Sequence, residues 1–200
     1  MTRLFPGARA VILLIGVVAV IPAAATADRY EIQQGNGTRI TFTSKAPMET
    51  FSGETDKVSG WLDADLRNLL QDPSLEVVVD MASFDTGLSK RNEHMRNNHL
   101  ETDEYPTARF RSLSIPEGPE ALPVGGQADF TLVGLMDLHG VEQPLTCRVN
   151  VRDLGGGRIQ VEAKFPIKLS DFAIKRPKFL VMKIADEQLV HVLLLLTEAP

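Results

Sequence analysis

Apolar and polar residues alternate strictly along several stretches of this chain. The longest run places apolar side chains at every second position, namely Ile159, Val161, Ala163, Phe165, Ile167 and Leu169. Successive side chains of a β-strand point to opposite faces of the sheet, so this period of two predicts a strand with one buried face. Shorter runs with the same pattern occur at residues 40–43, 75–81, 129–132 and 145–151. The pattern predicts a protein built almost entirely from β-strands.

Turn signals separate the alternating stretches. Clusters of Gly, Pro, Asn or Asp occur at residues 35–37, 72–73, 116–123, 125–126, 139–140 and 155–157. Short strands joined by such turns predict an all-β sandwich or barrel. Residues 189–196 are apolar on both faces except at His191. This predicts a strand whose outer surface is covered, most simply by a helix.

Helical spacing is limited to two short segments. Residues 63–70 predict a turn or two of helix, with leucines at 62, 66, 69 and 70 on one side. Residues 90–100 predict a better-defined helix with Ser89 as its N-terminal cap. The sequence contains no internal repeat, no low-complexity tract and no sign of a second domain.

Residues 1–27 have the features of a secretory signal peptide. Arg3 and Arg9 are followed by an apolar run at residues 10–21, and Ala25-Thr26-Ala27 forms a small-x-small cleavage pattern. The apolar run is shorter than the roughly 20 residues that span a bilayer as a helix, which favours cleavage over a membrane anchor. The two arginines are not adjacent, so no twin-arginine signal is indicated. We therefore expect a soluble periplasmic domain at residues 28–200, cleaved after Ala27.

The composition of residues 28–200 excludes some functions. These 173 residues, ordinary for one domain, carry 19 basic and 26 acidic side chains, a formal charge of −7. An acidic surface argues against non-specific nucleic-acid binding, which requires neutralisation of phosphates. The single cysteine, Cys147, cannot form an internal disulfide. Its apolar position in the alternation predicts a buried, inert thiol rather than one that pairs between molecules.

The sequence carries no common catalytic or metal-binding motif. There is no Gly-x-Ser-x-Gly, His-Glu-x-x-His, Cys-x-x-Cys or phosphate-binding glycine loop, and the glycines at 155–157 predict a hairpin. His94 and His99 are five apart in the predicted helix, on different faces, whereas metal pairs on a helix are usually four apart. His139 and His191 are predicted to be hydrogen-bonded structural histidines. We expect no catalytic residues, no metal and no cofactor.

Two basic segments stand out against the acidic background. One contains Lys90, Arg91, His94 and Arg96 in the predicted helix, and the other contains Lys168, Lys175, Arg176, Lys178 and Lys183. Simple solvation of a loop and of an outer strand face explains them. The functional alternative is an anionic head group or a membrane surface that meets one end of the protein.

Four segments, in this order, carry a family resemblance. They are residues 51–62 (FSGETDKVSGWL), 80–95 (DMASFDTGLSKRNEHM), 104–112 (EYPTARFRS) and 134–146 (GLMDLHGVEQPLT). Together they resemble the YceI-like family of lipocalin-like, polyisoprenoid-binding periplasmic proteins, across essentially the whole of residues 28–200. The resemblance implies an eight-stranded antiparallel barrel with one or two short helices at its side.

The chain departs from the family pattern at three places. The family usually has Arg-Asp where this chain has Arg91-Asn92, and threonine where this chain has Glu142. The family often has R-x-D-F-G where residues 169–173 read LSDFA and are followed by IKRPK. These changes leave the expected fold intact but bear on head-group recognition near residues 175–183.

The leading hypothesis is a periplasmic carrier that holds a polyisoprenoid, a quinone or another lipid in the barrel lumen. Few large aromatic residues occupy the alternating faces, which favours an open lumen. The predicted tail-binding residues are Phe42, Val77, Val79, Phe110, Phe130, Leu132, Phe165 and Ile167. The predicted head-group residues are Arg91, His94, Arg96, Lys175 and Arg176.

Two other hypotheses remain open at this point. One is a packed barrel without a lipid, acting as a stress-response or interaction module with a membrane redox protein. The other is an enzyme, for which no nucleophile–base pair or metal set can be assembled from the sequence. A transient membrane contact, and either a monomer or a homodimer, are compatible with each of the hypotheses.

Overall fold

The computed structural model describes residues 27–200 apart from residues 36, 47, 48, 72, 180 and 181. The predicted signal peptide therefore lies outside the described residues, except for Ala27. The elements are β1 (Asp28–Ile32), β2 (Arg39–Lys45), β3 (Thr50–Thr55), β4 (Val58–Ala64), β5 (Ser74–Asp80), the 3₁₀ turn η1 (Met81–Ser83), α1 (Ser89–Asn98), β6 (Thr107–Glu117), β7 (Gln127–Leu138), β8 (Val141–Asp153), β9 (Arg158–Lys168), the 3₁₀ turn η2 (Leu169–Phe172), β10 (Lys178–Phe179), β11 (Met182–Lys183) and β12 (Glu187–Glu198).

The strands form a closed antiparallel barrel, as the sequence predicts. Eight of them follow one another around it in the order β1-β4-β5-β6-β7-β8-β9-β12, and β12 pairs back onto β1. The predicted glycine hairpin joins β8 to β9. Closure pairs the eight-strand circuit on both sides, which removes the main route to edge-to-edge aggregation along most of the wall.

Two of the eight wall positions are strands broken in the middle. β1 and β2 lie one after the other along β12, at Ile32↔Leu196 and Ile40↔Val192. β3 and β4 run beside them in the same way, pairing with β2 and β1 respectively. Sequence alternation does not reveal that two short strands share one position in the wall.

One end of the barrel, the mouth, carries the long connections. Residues 81–106 link β5 to β6 there, and residues 169–186 link β9 to β12. β5 pairs with β4 and ends where β4 begins. The edge of β3 that faces away from β2 therefore has no neighbouring strand among the described residues. Asp85 pairs with Glu54 of β3 through two backbone hydrogen bonds of 2.9 Å and so covers this edge.

The opposite end is closed by packed loops. Leu66 and Leu122 are joined by a backbone hydrogen bond of 2.8 Å between the loops that follow β4 and β6. Leu69 and Leu122 are buried there. Residues 63–70 contain the end of β4 and turns, so the predicted helix does not form. Of its leucines, Leu66 and Leu69 pack at the closed end, whereas Leu70 is 44% exposed.

α1 lies at the mouth and not over the outer surface of a strand. Its residues Lys90, Arg91, His94 and Met95 line the space inside the barrel. Helix α1 begins at Ser89, and Leu88 occupies the cap position without a side-chain hydrogen bond, so the predicted serine cap is wrong. No helix in the described part of the chain is long and apolar enough to cross a membrane.

The prediction of a strand covered on both faces is also wrong. In β12 the side chains alternate, with Val190 and Leu194 buried inside and Leu189 51% exposed outside. The outward leucines of β12 lie on the barrel surface, where apolar side chains are tolerated singly. Because the barrel is closed, one face of β12 is buried in the lumen and the other faces outward, and no helix in the described part of the chain covers the outer face.

Asn92 ties α1 to the loop that covers β3. Its Oδ1 accepts hydrogen bonds from the backbone N–H of Thr86 (2.9 Å) and from the Thr86 hydroxyl (2.6 Å). Its Nδ2 donates to Oδ1 of Asp85 at 2.7 Å. This hydrogen bond, with one from the Gly87 N–H, lowers the pKa of Asp85. The amide of Asn92 can accept from Thr86 and donate to Asp85 at the same time. The aspartate of the family pattern would accept from Thr86 but would place a second carboxylate beside Asp85.

Substitution Asn92→Asp is therefore expected to destabilise the fold at neutral pH. A lowered pKa means that ionised Asp85 contributes stability above the usual aspartate value of about 4, and that this contribution is lost as the pH falls through the folded value. The variant removes the donor and adds a like charge, so its deficit is largest near pH 7. Below roughly pH 4, protonation of one carboxyl reduces the deficit.

Urea unfolding at several pH values measures this difference, and Asn97→Asp on the exposed side of α1 is the matched control. An equal loss of stability in both variants at pH 7 would contradict the role assigned to Asn92.

Candidate ligand-binding cavity

The mouth half of the barrel encloses a cavity of about 820 Å³. Ligand sites in proteins typically measure about 300–1,000 Å³, so this space is of the size that holds a small molecule. Inward-facing residues of β2, β5, β6, β7, β8, β9 and β12 form its wall, and α1 and the segment after η2 form its rim. The interior is overwhelmingly apolar because each strand turns its apolar alternate positions inward.

Seven of the eight predicted tail-binding residues line this cavity. They are Phe42, Val77, Val79, Phe110, Leu132, Phe165 and Ile167. The eighth, Phe130, is 2% exposed but belongs to the packed closed end. Its ring lies over Gly118, where a Cβ would come within 2.2 Å of the ring. Phe130 therefore fills the lumen below the cavity and does not line it.

Small residues create room between the large ones. A Cβ at Gly53 would lie 2.4 Å from the ring of Phe42, so glycine lets that ring sit flat against β3. Ala108 near the start of β6 and Ala163 in the middle of β9 face inward, and both line the cavity. Towards the closed end, larger side chains such as Ile159 and Leu196 are almost fully buried.

Arg91 lies at the cavity rim but is held by the protein itself. Its guanidinium donates to the Thr86 hydroxyl (2.9 Å), to the Thr86 carbonyl (2.8 Å) and to Glu49 (3.0 Å). It also stacks 4.3 Å from the centre of the Phe51 ring. Most of its donors and its charge are thus used to fasten α1 to β3. We interpret Arg91 as a structural residue of the mouth rather than a free anion receptor.

The other predicted head-group cations lie outside the cavity wall. Arg96 donates to the carbonyl of Ala82 at 3.2 Å and links α1 to η1. Arg176 is 3.9 Å from Asp186 in an ion pair, and the side chain of Lys175 is exposed. The structure does not bring Arg96, Lys175 and Arg176 together at one point of the cavity. Lys178 and Lys183 have side chains outside the described part of the structure.

His94 and His99 do meet, against the sequence prediction. Their ring centres are 4.8 Å apart, the ring planes are inclined at 65°, and both residues line the cavity. The prediction placed them on different faces because it extended the helix to residue 100. α1 ends at Asn98, and His99 has a non-helical backbone that swings its ring towards His94.

His99 is fixed in one orientation by the segment after η2. Its Nδ1 lies 2.7 Å from the backbone carbonyl of Lys175. A carbonyl only accepts, so Nδ1 carries the proton and neutral His99 has a bare Nε2. Burial, reinforced by His94, lowers the pKa of His99 below its usual value, although the Lys175 carbonyl acts in the opposite direction. Nε2 is shielded from solvent and has no hydrogen-bond partner.

Ser44 is a second polar group that sequence reasoning missed. It is the inward residue after Phe42 on β2, fully buried, and it lines the cavity. Its hydroxyl has no hydrogen-bond partner. Its neighbour across the β2–β12 pair is Gln188, which is buried and donates to the carbonyl of Ala185 at 2.8 Å. The sequence does carry a signal for this polar site: Ser44 and Gln188 occupy strand positions at which the alternation expects an apolar residue.

Cys147 lines the middle of the cavity from β8. It is 8% exposed, and burial raises the pKa of its thiol to about 11. The predicted buried position is therefore found, and the thiol is almost entirely protonated near neutral pH. Its sulfur nevertheless borders the empty space, so a molecule that enters the lumen can touch it.

His139 and His191 are held by hydrogen bonds, as predicted. His139 lies between the carbonyl of Phe172 (3.1 Å) and Glu101 (2.9 Å), and His191 contacts Glu162 (2.9 Å) on the outer barrel face. Among the residues described, no group of three His, Cys, Asp or Glu side chains is arranged to hold a metal ion.

Known proteins resemble this chain in sequence. The profile of the YceI-like domain family matches residues 30–194. The UPF0312 protein YE1254 of Yersinia enterocolitica is 28% identical over 170 residues, which cover 81% of this chain and 84% of the relative.

Solved structures resemble the barrel as well. Burkholderia cenocepacia BcnA superimposes with a TM-score of 0.67 at 24% identity, covering 79% of this chain and 95% of BcnA. A polyisoprenoid binding domain from Saccharophagus degradans, implicated in plant cell wall breakdown, gives a TM-score of 0.68 at 20% identity, covering 88% of this chain and 100% of the domain. At these identities the likeness demonstrates a shared fold. Because the family profile spans most of the sequence, this chain belongs to the YceI-like domain family.

Proposed function

We propose that this protein binds the apolar chain of a polyisoprenoid, a quinone or another lipid inside the barrel and carries it in the periplasm. The observation that supports this most directly is the open apolar cavity above a packed closed end. The polyisoprenoid-binding neighbour of the same fold supports the same ligand class. Ligand class and location are both part of the proposal.

The size of the cavity suits a chain of several isoprene units. An apolar protein cavity of about 150 Å³ holds one benzene molecule. On that scale, 820 Å³ has room for roughly thirty carbon atoms, or about six isoprene units. Burial contributes about 0.8 kcal/mol per CH₂, or roughly 3–4 kcal/mol per five-carbon unit. Five or six units offset an association cost of about 4–15 kcal/mol and still reach micromolar affinity.

A barrel filled by its own side chains accounts less well for the mouth half. Large side chains such as Phe130, Ile159 and Leu196 pack densely near the closed end. Nearer the mouth the inward side chains line the cavity and do not meet across it. An apolar ligand in the cavity would supply the van der Waals contacts that these side chains do not make with one another. We therefore prefer a binding protein to a packed interaction module, and we assign no catalytic step to the cavity.

Filling the cavity by substitution should abolish binding without unfolding the barrel. Ala163 faces the middle of the cavity between Val149 and Val192, so Ala163→Phe places a ring in the space proposed for the ligand. We expect the Kd of a fluorescent apolar probe to rise at least about tenfold, the equivalent of 1.4 kcal/mol. Thr146→Phe, on the outer face of β8, is the matched control and should bind like the parent protein.

Native mass spectrometry of protein purified from its own source tests the same point without a probe. The parent protein should carry a lipid adduct that Ala163→Phe lacks. Equal probe binding by both phenylalanine variants would place the ligand outside the lumen and refute the proposal.

Cys147 should report occupancy of the cavity. Because its pKa is raised to about 11, roughly one thiol in a thousand is ionised at pH 8. N-ethylmaleimide should therefore react slowly, with a rate that rises about tenfold per pH unit below that pKa. Saturation with a long-chain isoprenoid should suppress the reaction at every pH. A rate unaffected by a ligand that demonstrably binds would mean that the ligand does not reach the middle of the barrel.

Export is proposed from the leader features of residues 1–27 and is tested separately. We expect the chain isolated from the periplasmic fraction to begin at Asp28, as N-terminal sequencing or intact mass would reveal. Replacing two leucines of the apolar run, Leu13→Arg and Leu14→Arg, should retain the full-length precursor in the cytoplasm. A full-length chain in the periplasm would contradict cleavage after Ala27.

A further inference from the structure

Among the residues that the structure describes, the cavity wall contains two buried polar atoms that have no hydrogen-bond partner. They are the hydroxyl oxygen of Ser44 and Nε2 of His99. A buried polar group without a hydrogen bond destabilises a fold, and most such groups in native proteins find partners. Both residues line the cavity. His99 contacts the connection between β9 and β12, and Ser44 lies next to a residue that contacts it. The Lys175 carbonyl holds His99, and Ala185 N–H bonds to the Lys45 carbonyl beside Ser44.

The orientation of His99 determines what kind of partner it can take. The Lys175 carbonyl requires the proton on Nδ1, so Nε2 can only accept a hydrogen bond while the ring is neutral. An ether or a ketone oxygen has no proton to offer. A hydroxyl or an amide N–H does. The Ser44 hydroxyl places no such restriction, because it can donate or accept.

The charges around the cavity do not favour an anionic head group. Arg91 is paired with Glu49, and Arg109, the other arginine of the lining, is paired with Glu76 at 2.8 Å. A phosphate monoester adds about 1.5–2 negative charges. Placed beside Glu49 it would repel that carboxylate, and only exposed Lys90 among the described cations of the lining is without an ion pair.

We propose that His99 Nε2 and the Ser44 hydroxyl form a head-group subsite for an uncharged hydrogen-bond donor, a terminal hydroxyl or amide on an apolar chain. This inference rests on the proposed function and specifies the ligand further. The exposed His94 ring packs against His99, and binding at this subsite requires that this ring move aside so that a ligand reaches the shielded Nε2. The ligand donates to Nε2, and the Ser44 hydroxyl supplies the second polar contact of the wall.

A ligand series with one tail and different ends tests this subsite. The probes are geranylgeraniol, its methyl ether, its monophosphate and the parent hydrocarbon, each measured by displacement of a fluorescent apolar probe. We expect the alcohol to bind about tenfold more tightly than the ether or the hydrocarbon, the value of one well-made hydrogen bond to a buried group. The phosphate should bind no more tightly than the alcohol.

Two variants separate recognition from simple packing. In His99→Asn the amide nitrogen takes the place of Nδ1 and still donates to the Lys175 carbonyl, whereas Nε2 is lost. This variant should bind the ether as the parent does but lose the preference for the alcohol. Ser44→Ala should reduce the preference and leave the melting temperature unchanged or higher, because it removes an unsatisfied hydroxyl. A merely structural role predicts a uniform loss of affinity for all four probes.

The outcomes distinguish this inference from the proposed function. Equal binding of alcohol, ether and hydrocarbon would overturn the head-group subsite while leaving lumen binding intact. Tightest binding of the monophosphate, abolished by Lys90→Ala, would overturn it in favour of an anion site at the rim. Failure of all four probes to bind would overturn both proposals. An alcohol preference that persists in His99→Asn would remove His99 from the subsite.

Discussion

Closure of the sheet through β12 is the constraint on which the rest of the architecture depends. This strand pairs along its whole length with β9, and its other edge is shared by β1 and β2. Once eight strands are closed, the diameter of the lumen is set by the backbone, and side chains only decide how much of it is filled. An apolar cavity follows wherever the inward residues are too small or too few to meet across that diameter.

The distribution of side-chain size along the barrel axis separates a stabilising core from a binding space. At the closed end, Phe130 packs against Gly118, and the loops there are hydrogen-bonded to one another through Leu66 and Leu122. At the mouth, Ala108 and Ala163 leave room that neither Phe42 nor Phe110 fills. Dense packing at one end compensates for the contacts that the other end gives up, so the barrel can keep an open cavity and remain folded.

The fold was largely predictable because alternation reports the face of a strand directly. The lining of the cavity followed from the same pattern, since inward and apolar positions coincide in Val77, Val79 and Phe165. Features set by chain ends and by long-range contacts were not predictable. His99 faces His94 because α1 ends at Asn98, two residues before the predicted end, and Arg91 is paired with Glu49, which is distant in sequence. Alternation also shows only that Phe130 faces inward, and not whether it lies in the cavity or in the packed closed end.

The departures from the family pattern acquire a physical meaning in this setting. Ala173 adopts a left-handed backbone with φ of 55° at the end of η2, where the family pattern has glycine, and it accepts strain that glycine avoids. Glu142 forms an exposed ion pair with Arg111, which contributes little to stability. Both lie outside the cavity lining.

Asn92 differs from these, because it joins α1 to the loop over β3. Helix α1 has no fully buried residue and packs against the core through the partly buried Met95, so polar contacts of this kind contribute much of its attachment. Water can replace such contacts at low cost, whereas exposing a barrel strand would break both ladders and core. The polar attachment of α1 therefore distinguishes the mouth of the barrel, which is joined by side-chain hydrogen bonds, from the closed end, which is held by apolar packing.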